Sequence, residues 1–164
     1  MKNPKAKGNE FELKVAKILS EWSGQQFHRT PASGALHWSN DKRVISDIVP
    51  PETLKDWPFS IECKKVEGAN WEFSALIEGT SQTLKEHWKQ ACEDADREDM
   101  IPLLVFSKNF HDIYVMMKWC TFVKLDIHPE SFMTLMSSSG ELALMKFSDL
   151  LSQITIENLL KTFK

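Results

Sequence analysis

A chain of 164 residues is long enough for one domain with a sizeable core. Its 42% hydrophobic and 26% charged residues exclude a disordered chain. No apolar run is long enough to span a bilayer, and the opening MKNPKAKGNEFEL has no signal-peptide core. Cys63, Cys92 and Cys120 are odd in number and lack zinc-type spacing, so they read as reduced thiols of a cytosolic protein.

The net charge of −3 is unevenly spread. Residues 1–45 hold 8 Lys/Arg against 4 Asp/Glu, residues 46–100 hold 6 against 13, and residues 101–164 hold 6 against 6. A basic front end beside an acidic middle fits a phosphate-binding edge next to a metal-binding pocket. Solvated helix faces produce the same imbalance, so charge alone does not decide.

The first predicted element is a helix from about Asn9 to Trp22, stopped by Ser23-Gly24. Phe11, Val15, Ile18, Leu19 and Trp22 form its apolar stripe. Glu12 lies roughly 75° from the centre of that stripe and Glu10 roughly 125° away, so Glu12 is the better placed to look between helix and sheet. Gln25 to Lys42 is polar and turn-rich. Arg43 to Val49 reads as a strand ended by Pro50-Pro51, and Phe59 to Val66 as the next. Two strands joined by the PETLKDWP connection are most simply an antiparallel hairpin with a long loop.

A second helix is expected from about Ser81 to Arg97, with Leu84, Trp88, Ala91, Cys92 and Ala95 as its stripe. Strands follow at Ile101 to Phe106 and Asp112 to Lys118, then a turn at Ser137 to Gly140 between FMTLM and ELALMKF. A single closing helix is expected from about Ser148 to Phe163. Helices alternating with strands imply an α/β fold, a mixed sheet with helices packed on it.

The segment FSIECKKV breaks the pattern of a plain buried strand. Side chains alternate faces, so Phe59, Ile61 and Cys63 point one way and Ser60, Glu62 and Lys64 the other. Glu62 and Lys64 then reach one small site, with Asp47 beside them from the preceding strand. Two close carboxylates repel unless a cation lies between them. Hard oxygen donors of this kind suit Mg²⁺ or Mn²⁺, and the Lys can act on an attacking water or on phosphate charge. Taken alone, a Glu-x-Lys triplet is more often a surface salt-bridge ladder.

The ordered set around it narrows the choice. Asp47 followed by Glu62-Cys63-Lys64 resembles the PD-(D/E)xK nuclease motif, with Ser46 where Pro is usual. Gly8 and Glu12, then Arg29 and Ser33-Gly34 in RTPASG, resemble the front end of archaeal and phage Holliday junction resolvases. HWKQA and IPLLVFSKN are similar to the matching helix and strand of phage recombination endonucleases. The resemblance covers roughly residues 8–117, and 118–164 read as a C-terminal extension, a cap or dimer element, of a single nuclease domain.

This resemblance implies a restriction-endonuclease-like mixed β-sheet flanked by helices. It implies a Mg²⁺-dependent endonuclease, with Mn²⁺ as substitute, acting on DNA and in particular on four-way junctions. Glu12, Asp47 and Glu62 would hold the metal, with the Cys63 backbone carbonyl as an extra ligand, and Lys64 would act on the water. Arg29, Ser33 and Gln90 would contact phosphate. Periodicity sets Gln90 far from its helix's apolar stripe, and Gln82 is a rival for that task. Lys5, Lys7, Lys42 and Arg43 would track the DNA backbone without reading sequence. Two cuts imply a homodimer, with no membrane association and a place in the cytoplasm, that of the host if the chain is phage-encoded. Two other readings stay open: the same fold acting on flaps, nicks or duplex, and a DNA-binding protein that has lost catalysis.

Among the remaining aromatics, Trp22 and Trp88 read as core, while Trp38 in ALHWSN is the candidate for a DNA or dimer contact. His28, His37, His87, His111 and His128 read as surface or DNA-edge residues, EDADRED (93–99) as a solvated helix end, and Met116, Met117 and Met133 to Met136 as core filler.

Overall fold

The computed structural model of the chain describes residues 4–30, 46–66, 82–108 and 110–164. Helix α1 (Pro4–Ser23) starts a turn earlier than the stripe suggests and ends where Gly24 takes φ +68°. Lys and Ala in PKAKG are good helix formers, and Pro is tolerated in a first turn. Strands β1 (His28–Arg29) and β2 (Ile48–Val49) pair antiparallel as a two-residue ladder.

The main sheet has five strands in the order β3 (Phe59–Val66), β4 (Ile101–Lys108), β5 (Ile113–Lys118), β7 (Gly140–Lys146), β6 (Phe132–Ser137). β3 and β4 run parallel, joined by a crossover through α2 (Gln82–Asp96), and the other pairs are antiparallel. A mixed sheet flanked by helices is the α/β, restriction-endonuclease-like arrangement expected.

Each face of the sheet has its own core. On one face Phe59, Ile61, Cys63, Leu103, Val105, Val115, Met117, Ala143 and Met145 share a core with Phe11, Val15 and Leu19 of α1 and with Phe122, Phe147 and Leu150. There α1 packs on β3, and the helices Trp119–Leu125 and Phe147–Gln153 pack on β5 and β7. Val66, Leu104, Phe106, Met116, Leu142 and Leu144 meet α2 through Leu84, Trp88 and Ala91. β4 is thus apolar on both faces, as a buried strand beside a crossover helix must be. The three cysteines are free thiols. No helix among the described residues is long and apolar enough to cross a membrane.

Three expectations are corrected. The strand ending at Val49 does not zip onto β3 as a hairpin; among the described residues one backbone bond, Asp47 N–H to the Ile61 carbonyl at 3.1 Å, joins them. β2 pairs instead with β1, and Pro50-Pro51 offers no donors to continue a ladder. The closing helix is two helices, α4 (Phe147–Gln153) and α5 (Ile156–Thr162). Ile154 is extended between them, its carbonyl accepting the Trp22 indole N–H at 2.9 Å, and the Thr155 hydroxyl caps α5 through the Asn158 N–H. Finally, α3 (Trp119–Leu125) follows β5 directly, and Met136 is 78% exposed rather than core.

Candidate active site

The site is built where the β1–β2 ladder meets β3. The Asp47 carbonyl accepts the Thr30 N–H at 2.9 Å, and its own N–H reaches Ile61. The Thr30 hydroxyl bonds the Ser46 carbonyl, and the buried Ser46 hydroxyl bonds the Ile48 carbonyl at 2.6 Å. These bonds aim the Asp47 side chain at β3, where its Oδ2 accepts the Cys63 backbone N–H at 2.8 Å. Within a strand, N–H and C=O of one residue point to the same edge. The Cys63 carbonyl therefore also faces the Asp47 side, as a ligand role requires.

On the other face of β3, Lys64 Nζ meets Glu62 Oε1 at 2.6 Å, and the Glu62 side chain is only 7% exposed. Glu62 and Asp47 interact directly as well. Glu12, on α1, is close enough for its charge to be felt at Asp47. Its carboxylate is held by Arg29, Nε to Oε2 at 2.6 Å, while Arg29 Nη2 donates to Asn9 Oδ1 at 3.1 Å. Asp47, Glu62 and Lys64 thus adjoin, with Glu12 alongside but paired to Arg29. Among the described residues no three His, Cys, Asp or Glu side chains close around one point.

The electrostatics are strained. Burial, then the charge of Glu62, raises the Asp47 carboxyl to about 7, against the opposing Cys63 N–H. Burial raises Glu62 too, although the bond from Lys64 works the other way. Burial works against the Lys64 ammonium, but its bond to Glu62 outweighs that and raises it. Burial pushes the Cys63 thiol well up, leaving it a neutral core side chain.

Helix α2 supplies the far wall. His87 is half-buried, and burial followed by the Lys64 charge lowers its pKa; the Asp94 charge is felt at Glu62. At about 100° per residue, Gln90 lies within roughly 60° of His87 and 40° of Asp94. It is exposed, on the flank of α2 beside His87 and Asp94.

His87, Asp94 and Asn9 were not singled out for the site. Their signal is spacing: His87 and Asp94 are i and i+7 on the helix that packs on the Glu62 face, and Asn9 is one turn from Glu12. Lys5 is exposed and Lys7 half-buried on the first turn of α1. Ser33, Lys42, Arg43, Trp38 and the rest of residues 31–45 lie outside the described residues, and of Gln82 only its place at the start of α2 is described.

The donor set fits a hard divalent cation. Two buried carboxylates that repel one another and an inward-facing carbonyl are oxygen ligands, and a cation between them relieves the repulsion.

The family model described as phage putative PDDEXK endonuclease matches residues 3–161. Protein D14 of Escherichia phage T5 is 25% identical over 156 residues, 94% of this chain and 96% of that protein. No solved structure matches the chain.

Proposed function

The chain belongs to the phage putative PDDEXK endonuclease family, and from that premise we propose that it is a metal-dependent endonuclease cutting phosphodiester bonds in branched DNA, a Holliday junction resolvase. The observation that carries this reading is the trio of Asp47, Glu62 and Lys64, two strained buried carboxylates beside a charged lysine at 2.6 Å.

Asp47, Glu62 and the Cys63 carbonyl would hold the divalent ion, Mg²⁺ with Mn²⁺ as substitute, and Glu12 would complete the set when it leaves Arg29. Bound there, the ion neutralises the phosphate, makes water more acidic and stabilises the leaving oxygen. Lys64, on the Glu62 face, orients the attacking water and offsets the charge that builds on the phosphate. Arg29, released from Glu12, pairs with phosphate oxygens through its planar fork. Gln90 and His87 line the α2 side of the cleft. Lys5, Lys7, Lys42, Arg43 and Ser33 would hold the backbone of the DNA, positioning it without reading bases. A two-fold dimer supplies one site for each strand cut.

The test is cleavage of a labelled four-way junction beside linear duplex of the same sequence, with Mg²⁺ or EDTA. Paired symmetric nicks in the junction alone, abolished by EDTA, are expected. Equal cutting of both substrates would keep the nuclease and discard the junction. Tight junction binding without cutting would leave a binding protein.

A further inference from the structure

The sheet has a second edge, at β6, that plays no part in the site. Its six residues, FMTLMS, carry no charge and no proline, the usual devices that blunt an edge strand. Phe132 is 47% exposed and Met136 78%, both on the face that also carries Thr134. Among the described residues β6 pairs only with β7, in a register that ends at Ser137↔Gly140.

That register fixes which backbone groups are spent. Ser137 and Gly140 flank a two-residue turn, so they must exchange their own N–H and C=O groups. By alternation Leu135 and Met133 also face β7. Phe132, Thr134 and Met136 therefore direct their N–H and C=O groups outward. No described residue hydrogen bonds to them.

We propose that β6 is a homodimer interface, on which a second copy of this chain adds its own β6 antiparallel about a two-fold axis through Thr134. This register joins the outward groups of both strands. It sets Phe132 opposite Met136 of the second copy, a sulfur–aromatic pair, and Met133 opposite Leu135. Thr134 meets Thr134, a favourable cross-strand pair. No charge faces a like charge: Glu130, the first charge before the strand, falls opposite Ser138 of the other copy. An isologous pairing closes at two, which consumes the edge instead of propagating it.

The consequence for the site rests on the nuclease reading. The axis is perpendicular to the sheet, so both Glu62–Lys64 pairs lie on the same face. The two β3 strands are then nine inter-strand steps of about 4.8 Å apart, roughly 43 Å along a flat sheet. One DNA molecule on that face meets both sites.

The test reads mass, not cleavage. By light scattering the full chain should have twice its 18.9 kDa mass. Thr134→Glu and Thr134→Lys should each be monomeric at the concentration where wild type is dimeric, because like charges then meet across the axis. Mixing the two variants in equal amounts should restore the dimer. Amide hydrogen exchange of wild type gives an answer without any variant: Phe132, Thr134 and Met136 should become protected as concentration rises, while Met133 and Leu135 are protected throughout. A monomer at every concentration, growth beyond two, a dimer indifferent to both charges, or outward amides that exchange fast in the dimer would each overturn the interface.

Discussion

The two edges of the five-stranded sheet use burial in opposite ways. At the β3 edge the chain buries Asp47 and Glu62 against each other and props them with the Cys63 N–H and the Lys64 ammonium. At the β6 edge it leaves Met136 in water and Phe132 half exposed beside Trp119 and Phe122, and places no charge along the strand. Apolar exposure costs about 25 cal/mol per Å² and is recovered when a partner covers it. Buried like charges cost more and are recovered when a cation arrives. On the proposed readings, metal and phosphate would satisfy one edge and a strand the other.

Breaking the first edge should have the largest effect. Asp47→Asn or Glu62→Gln should lower junction cleavage about a thousandfold, a change comparable to or larger than losing one preorganised catalytic donor. Binding to the junction in gel shift should survive, and unchanged cleavage in both variants would remove the site assignment. Lys64→Ala should slow cleavage about a hundredfold, in the range of a lost general acid–base group. Its Mn²⁺ affinity should hold; loss of metal affinity alone would reduce Lys64 to a charge balance.

The strain at Asp47 also predicts a pH dependence. Its folded pKa of about 7 lies above the ordinary carboxylate value of 3.8, so between these the folded state binds more protons than the unfolded. That contribution is fully present below the unfolded pKa and is lost as pH rises through about 7. In EDTA, the melting temperature of wild type should therefore carry a downward component from pH 5 to 7.5 that Asp47→Asn lacks. Saturating Mg²⁺ should remove it. Parallel profiles for wild type and variant in EDTA would show that the pair is not strained.

Arg29 offers a milder test, since it pairs with Glu12 at 2.6 Å rather than with the two buried carboxylates. Arg29→Ala should weaken DNA binding evenly across sequences and reduce the salt slope by about 1, as for one lost phosphate contact. An unaltered slope would confine Arg29 to holding Glu12. The smallest effect is expected at the other edge, where Met136→Lys should move the stability of the single chain by no more than about 0.5 kcal/mol, as surface changes do, measured at a concentration where the chain is monomeric. A larger loss in urea unfolding there would mean that Met136 is covered within its own chain.

The same contrast explains what was legible in the sequence. Period two in FSIECKKV was enough to put Glu62 and Lys64 on one face and Cys63 on the other, because one face of that strand is core. Helical spacing was enough for α1 and α2. Pairing partners were not readable: β2 has two residues, and whether they turn to β1 or β3 depends on contacts distant in sequence. α3 was hidden because WCTFVKL, with Thr121, Val123 and its aromatics, has strand-like composition and follows β5 without a break. The interruption at Ile154 is set by the indole of Trp22, far away in the chain. His87 reads in the sequence as a surface or DNA-edge residue, because its flank of α2 gains meaning only once Glu62 is known to lie beneath it. The exposure of Met136 was equally hidden, since an edge strand and a central one share the same apolar alternation.

The most direct measurement is calorimetric titration of Mn²⁺ into wild type and Asp47→Asn at pH 6, in two buffers of different ionisation enthalpy. Wild type should bind with proton release, because Asp47 is largely protonated there and must ionise to serve as a ligand. Asp47→Asn should bind far more weakly and release fewer protons. Equal binding by both, without proton release, would contradict a cation site built on Asp47 and Glu62.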